Sequence, residues 1–259
     1  MSAPSTRRVI IVTGSSRGIG QAACRTLAAG GNTVVGIARS DQSETAEHVR
    51  AAGGTFVAMG VDLGALDVAA ARETIGKVIA DHGRLDVLIN NAGIIRRAPT
   101  IDHPEADWAA VMHTNVSSPF FLTQAAARWW ISEGRANADA AARLKVVFVA
   151  SLLSFQGGIT VPAYAASKHA IAGLTKALSN EWARERINVN SVAPGYIETD
   201  NTAAIRADPA RSKSILERIP EGRWGSPEDI AGTVAFLASP AADYVNGAIL
   251  NVDGGWLGR

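Results

Sequence analysis

Cysteine occurs once in this 259-residue chain, at Cys24. No internal disulfide can form, no cysteine-based zinc site can be assembled, and a lone thiol suits a reducing, cytoplasmic compartment. Long hydrophobic runs are also missing. The longest apolar stretches, such as Val146–Ala150, are strand length and far short of a bilayer span, so no membrane partner is expected. Charge of one sign is scarce: 25 basic against 24 acidic residues leave a net +1, too little field to draw nucleic acid or an anionic surface. The histidines His48, His82, His103, His113 and His169 are scattered, no carboxylate cluster has ligand spacing, and no metal is expected. The leader Met1–Arg8 runs straight into a strand pattern, which leaves no room for a signal peptide, and the sequon Asn115-Val-Ser117 is then expected to go unused. No Pro/Ser-rich linker, internal repeat or low-complexity tract divides the chain. A single domain spanning residues 1–259 is expected.

What is present is an alternation of strands and helices over a composition 47% hydrophobic. Strand patterns cover Arg8–Val12, Asn32–Ile37, Thr55–Met59, Asp86–Ile89, Lys145–Ala150, Ile187–Val192 and Ala248–Val252. Helical patterns cover Gly18–Ala29, Asp41–Ala52 and Leu66–Asp81 between the first four. The strands are nearly continuous apolar runs, as expected when helices cover both sheet faces. The rhythm predicts an α/β fold, a doubly wound, Rossmann-like parallel sheet joined by right-handed crossovers in three layers. The polar, alanine-rich stretch Glu133–Arg143 is expected to be a surface extension before the fifth strand.

Two local patterns carry chemistry. Tyr164 and Lys168 stand four residues apart in Pro162-Ala-Tyr-Ala-Ala-Ser-Lys168, which places both on one helix face. A free phenol titrates near pH ~10, and a neighbouring cation favours its ionised form, so the pair can exchange a proton with a hydroxyl or carbonyl near neutrality. With three tyrosines and five lysines in the chain, such a pair arises by chance only about 0.06 times, and Ser151 lies thirteen residues upstream. The second pattern is Thr13-Gly-Ser-Ser-Arg-Gly-Ile-Gly20, between a strand and a helix. Glycines at 14, 18 and 20 permit a sharp turn and close approach of a pyrophosphate to the helix N-terminus. No Gly-Lys-Ser/Thr follows, which excludes a nucleotide-triphosphatase loop.

Cofactor choice is read at the end of the second strand, where NAD-binding sheets place an acidic residue. Here the chain reads Gly36-Ile-Ala-Arg-Ser40, with Ala38 in the acidic place and Arg39 beside it. Arg39 and Arg17 together suit a 2′-phosphate, which favours NADP (NADPH) over NAD; Asp41 stays open as a ribose partner.

Together with Asn90-Asn-Ala-Gly93, Asn115 and Pro194-Gly195, these residues resemble the short-chain dehydrogenase/reductase family over essentially the whole chain. The resemblance implies a seven-stranded sheet, a homotetramer, and hydride transfer between NAD(P)(H) and an alcohol or carbonyl. It makes Tyr164 the acid/base and sets Ser151 on the substrate oxygen. It places Lys168 on the nicotinamide ribose, lowering the Tyr164 pKa, and gives Asn115 a water that leads protons away. It implies cofactor contacts at Gly14, Ser16, Arg17, Gly18, Ile19, Gly20, Arg39, Asp62, Leu63, Asn90, Ala92, Gly93, Pro194, Gly195, Ile197 and Thr199, with Asp62 at the adenine and Thr199 at the carboxamide. The chemistry agrees: negative charge growing on a carbonyl oxygen can be met by the Ser151 hydroxyl while Tyr164 donates a proton.

Segments Asn90–Arg97, Ala150–Gly158, Arg218–Gly225 and Asp243–Gly247 look like the branch of the family that handles deoxy keto-sugar acids; Arg39 and the Glu133–Arg143 stretch depart from that branch. A small-molecule substrate with a carboxylate would suit Arg96 or Arg97, and Gln156 would serve sugar hydroxyls. Surface charge or subunit contact is the alternative for the two arginines, and Trp256 either covers the pocket or packs on a neighbour. Two other functions stay open. One is a 3-oxoacyl-acyl-carrier-protein reductase, docking its acidic carrier on Arg128, Arg135 and Arg143. The other is a non-catalytic nucleotide sensor, which would not need Asn115, Ser151, Tyr164 and Lys168 together.

Overall fold

The computed structural model describes residues 7–259; most of the leader Met1–Arg8 lies outside the described residues. Seven strands form one sheet: β1 (Val9–Thr13), β2 (Thr33–Ile37), β3 (Thr55–Met59), β4 (Val87–Asn90), β5 (Leu144–Val149), β6 (Ile187–Pro194) and β7 (Ile249–Val252). All neighbours pair in parallel, in the order β3-β2-β1-β4-β5-β6-β7. The order reverses between β1 and β4, and a crevice opens there at the carboxyl ends of the strands.

The helices are α1 (Gly18–Leu27), α2 (Ser43–Ala51), α3 (Val68–His82), α4 (Glu105–Met112), α5 (Ser118–Trp129), α6 (Pro162–Trp182), α7 (Asp200–Arg206), α8 (Pro209–Leu216) and α9 (Pro227–Leu237). Strand side chains alternate between two cores, as a pleat of period two requires. Val9 and Ile11 of β1 join Ile75 of α3, Leu122 of α5 and Ile171 of α6 on one face. Ile10 and Val12 join Leu27 of α1, Val49 of α2 and Val234 of α9 on the other. Each fully buried aliphatic chain contributes about 1.5–3 kcal/mol, so both layers hold the strand ends in place. Cys24 packs in the second core, where burial pushes its thiol up and leaves it inert.

Element ends differ from expectation by a residue or two, for local reasons. The Asp67 carboxylate accepts from the Ala70 amide and starts α3 at Val68, and Gly83, with φ 73°, ends it after His82. β6 runs on to Pro194 because Ala193 and Pro194 still pair with Asn251 and Val252. The Glu133–Arg143 stretch is mostly exposed, but it is tied to the end of α6. Arg186 donates to the carbonyls of Arg135 and Ala140 at 2.8 and 2.7 Å, Arg135 pairs with Glu185, and the Trp130 indole donates to the Glu185 carbonyl.

Candidate active site

The crevice is a cleft of about 1120 Å³ that runs from the β1–α1 turn to the C-terminal residues of the chain. Gly14 and Gly18 take left-handed φ values of 66° and 55°. A Cβ at Gly14 would stand 2.9 Å from the Asn91 side chain, and one at Gly20 only 2.1 Å from the Gly14 carbonyl oxygen. Gly20 therefore serves the close packing of α1 on the Gly14 turn and Asn91, while Gly14, Ser16, Arg17, Gly18 and Ile19 face the cleft. The extended residue Arg17 offers α1 no side-chain cap, so the open amides and the positive end of the helix face an anion site. This geometry fits the pyrophosphate of a dinucleotide.

At the end of β5, Ser151 is extended and its Oγ accepts from the Leu153 amide at 3.2 Å. α6 starts at Pro162, whose fixed φ suits a first helical position, and sets Tyr164 and Lys168 on the cleft floor with Ser151. Lys168 is 5% exposed and donates from Nζ to the Val149 carbonyl at 2.7 Å. Burial draws its pKa down to about 8. Its ammonium lies 5.4 Å from the Tyr164 ring centroid. Burial pushes the Tyr164 phenol up, against opposing pulls from the Ser151 hydroxyl and the charge of Arg97. The net direction is opposite to the one the family resemblance implied, because desolvation outweighs the two opposing pulls. The phenol is protonated at neutral pH.

Asn115 sits in a π-helical turn, His113–Ser117, between α4 and α5, a distortion frequent at functional sites. Its carboxamide exchanges hydrogen bonds with both backbone groups of Ile94 (2.8 and 3.0 Å) and donates to Ser167 Oγ. The side chain thus clamps the β4 loop beside Lys168. A Cβ at Gly93 would lie 3.3 Å from its Oδ1 and 3.8 Å from the lysine Nζ.

At the far end, Arg39 and Asp62 form an exposed pair at 3.4 Å, and the Ser40 hydroxyl donates to Ser16 Oγ at 2.8 Å. Leu63 lines the cleft beside them. Asp41 instead accepts from the Ser43 hydroxyl and amide at the start of α2, which lowers its carboxyl pKa. Pro194, Gly195, Ile197 and Thr199 form the opposite rim, where Arg17 meets Asp200 at 3.1 Å. Arg96, Arg97 and Gln156 all reach the mouth. Arg96 is paired with Asp107 at 3.4 Å, and Arg97 donates to the Asn201 carbonyl at 3.3 Å. Among the described residues no group of histidine, cysteine and carboxylate side chains could hold a metal, and no helix is long and apolar enough to cross a membrane.

A family model described as Enoyl-(Acyl carrier protein) reductase matches residues 14–257. The chain is 46% identical over 252 residues to 2-dehydro-3-deoxy-D-gluconate 5-dehydrogenase of Escherichia coli, covering 97% of this chain and 96% of that one. The chain belongs to the short-chain dehydrogenase/reductase family. It is an NAD(P)-dependent oxidoreductase that interconverts an alcohol and a carbonyl. A candidate 2-deoxy-D-gluconate 3-dehydrogenase from Agrobacterium tumefaciens, solved with bound NADP, superposes with a TM-score of 0.89 at 52% identity and full coverage of both chains. A 3-oxoacyl-acyl-carrier-protein reductase of Escherichia coli is less similar, 36% identical over 96% of both chains.

Against this short-chain dehydrogenase frame, two expected cofactor residues fall outside the cleft lining: Gly20, which packs beneath the turn, and Asn90. Asn90 does not line the cleft: it is buried below, donates to Thr123 Oγ1 at 2.9 Å and leaves its Oδ1 without a partner among the described residues. Its neighbour Asn91 does the work at the surface. The Asn91 Nδ2 donates to the carbonyls of Thr13 and Gly14 at 2.9 and 3.1 Å and locks the glycine turn. Thr13 Oγ1 accepts from the Asn91 and Ala92 amides, both at 3.0 Å. Strand alternation was the missed signal, since consecutive residues at a strand end point to opposite sides. Tyr196 and Arg218, which no sequence motif marks as site residues, also line the cleft, and Trp256 joins them there as a cover of the pocket. They come from segments far apart in sequence and carry no local spacing.

Proposed function

We propose that this chain is a cytoplasmic, single-domain, NADP(H)-preferring dehydrogenase/reductase of a deoxy keto-sugar acid, active as a homotetramer. The observation that carries the reading is the meeting of Ser151, Tyr164 and Lys168 on one floor of a dinucleotide-sized cleft in a chain so similar to a 2-dehydro-3-deoxy-D-gluconate 5-dehydrogenase. When bound, the nicotinamide supplies or takes up the hydride. In reduction the protonated Tyr164 phenol donates to the carbonyl oxygen, and the Ser151 hydroxyl steadies the charge that grows there. Lys168 holds the ribose and refills the phenol with a proton, and Asn115 keeps the β4 loop against it. Gly14, Ser16, Arg17, Gly18, Ile19 and the open α1 amides hold the pyrophosphate, with Asp62 and Leu63 near the adenine, and Ala92, Gly93, Pro194, Gly195, Ile197 and Thr199 around the nicotinamide half.

Preference for NADP(H) is supported by Arg39 and Arg17 at one end of the cleft and by Asp41, whose carboxylate is engaged with Ser43 and does not line the cleft. A 2′-phosphate would compete with Asp62 for Arg39 and with Asp200 for Arg17. The acidic substrate is supported by the basic mouth at Arg96 and Arg97, with Gln156 for a hydroxyl. An acyl-carrier partner is disfavoured because Arg135 of the expected docking patch is already paired with Glu185 and the acyl-carrier reductase is the less similar relative. A subunit contact is supported by an apolar groove of about 400 Å³ between α5 and α6, lined by Phe120, Phe121, Gly173 and Leu174. The test is turnover: NADP-dependent oxidation of 2-dehydro-3-deoxy-D-gluconate against reduction of a 3-oxoacyl thioester with NADPH. Preference for the thioester would overturn the substrate reading, and a monomer by light scattering would overturn the assembly.

A further inference from the structure

The wall of the cleft that faces the catalytic floor is organised by Trp256. The turn before it is fixed: Gly254 and Gly255 take φ values of 62° and 88°, and the Asp253 carboxylate accepts from the Gly255 and Leu257 amides. The indole, 6% exposed, packs on Leu152, Ile215 and Ile219 and against the Tyr196 ring at 4.8 Å. Its two remaining features hold polar groups at the cleft. The indole N–H donates to Gln156 Oε1 at 3.0 Å. Because an indole can only donate, the amide oxygen of Gln156 must face it, and both amide N–H groups point away. They bond to nothing among the described residues. The ring face carries the Arg218 guanidinium, whose carbon lies 4.1 Å from the ring centroid. Stacking occupies the flat face of the guanidinium and leaves its edge, with its forked N–H donors, free for a planar anion. Arg17, Arg39, Arg96 and Arg223 each pair with a carboxylate, whereas Arg218 has no acidic partner among the described residues.

We propose that Trp256 is a positioning residue that builds a substrate subsite, with Gln156 donating to a chain hydroxyl and Arg218 taking the carboxylate at the end of the substrate away from the reacting carbon. The inference rests on the sugar-acid reading above. It divides labour at the mouth: Arg96 and Arg97 draw the anion in, and the stacked Arg218 fixes where it stops. Three segments distant in sequence, after β5, after α8 and after β7, share one anchor, so orientation at one is felt at the others.

The test compares 2-dehydro-3-deoxy-D-gluconate with its methyl ester, which keeps the skeleton and loses the charge, each oxidised with NADP. Arg218→Met should raise KM for the acid about ten- to a hundredfold and leave the ester within about twofold. Gln156→Leu should raise KM for both about two- to tenfold, as loss of a neutral hydrogen bond does. Trp256→Phe keeps a ring for stacking and deletes only the donor. It should raise KM for both about threefold with kcat within about twofold, and it should be silent in the Gln156→Leu background, because it acts through that amide. Equal losses on acid and ester in Arg218→Met would overturn the carboxylate assignment. Losses that multiply in the Trp256/Gln156 pair, or a Trp256→Phe variant with lowered Tm and kcat but unchanged KM, would make Trp256 a structural residue only. A wild-type enzyme that turns over the ester as well as the acid would instead bring down the sugar-acid reading itself, and the inference with it.

Discussion

On the cleft floor Lys168 is 5% exposed and its ammonium is fixed on the Val149 carbonyl; at the rim Arg17 and Asp200 meet with side chains 74% and 71% exposed. The two regions serve one reaction by different physics. On the floor, desolvation makes each charge expensive and moves pKa values, so a single atom decides the chemistry. At the rim water screens every pair, individual contacts are worth little, and recognition comes from many arginines or from the few that a neighbour holds still. Removal of a floor residue should therefore be severe and insensitive to salt, and removal of a rim residue mild and salt-dependent.

The largest effect is expected for Tyr164→Phe, which deletes the ionisable hydroxyl and keeps the ring. Turnover should fall about 10²–10⁴-fold, the usual worth of a placed acid/base, while NADPH affinity stays within about threefold. Residual turnover within tenfold of the parent would remove Tyr164 from the reaction.

Lys168→Met tests whether the floor is costly. The folded-state pKa of about 8 lies below the ordinary 10.5, so between these values the unfolded chain binds more protons. The penalty is complete below pH 8 and fades as pH rises toward 10.5. Keeping the buried lysine charged costs about 3 kcal/mol at pH 7, and loss of the bond to Val149 offsets about 1 kcal/mol. The cofactor-free variant should thus be more stable by about 1–3 kcal/mol at pH 7, converge on the parent near pH 10, and turn over poorly. Urea titrations at the two pH values measure it; a variant less stable than the parent at pH 7 would mean that the lysine stabilises the fold.

The floor and most residues of the rim were legible from sequence; the pairing of the rim side chains with one another was not. Tyr164, Lys168 and Ser151 lie close together in the chain, and helix periodicity alone brings two of them to one face. The strands could be read because both sheet faces are buried and the runs stay apolar. Asn90 and Asn91 were misassigned between them, since an apolar run does not reveal which face a polar end residue takes. Gln156 and Trp256 could be named from sequence, but their contact with each other and with Arg218 could not, because the three meet only through the fold. The direction of the Tyr164 shift also needed coordinates: burial and the aim of an ammonium are not written in an i, i+4 spacing.

At the cofactor end, Arg39→Asp exchanges a phosphate partner for a repelling charge next to Asp62. Preference for NADPH over NADH should shift toward NADH by about ten- to a hundredfold, the worth of a charge-assisted contact, and the shift should shrink at high salt. Unchanged preference in parallel titrations of the two cofactors would leave Arg39 in solvent.

The smallest effect is expected at the arginines nearest the mouth. Arg96 already pairs with Asp107 and Arg97 with the Asn201 carbonyl, so neither is free to close on a substrate without giving up a partner. The double change to Met keeps most of the apolar stem and removes two charges from the approach path. Specificity for 2-dehydro-3-deoxy-D-gluconate should fall about threefold at low salt and by less at physiological ionic strength, where the screening length is about 8 Å. The methyl ester should hardly notice. The charge of Arg97 also opposes the upward push on the Tyr164 phenol, so its loss should raise the pH at which that phenol titrates, a change visible in the pH profile of kcat. A salt-independent loss of a hundredfold on the acid alone would reverse the division between floor and rim, and would make Arg96 or Arg97, in place of Arg218, the group that holds the carboxylate.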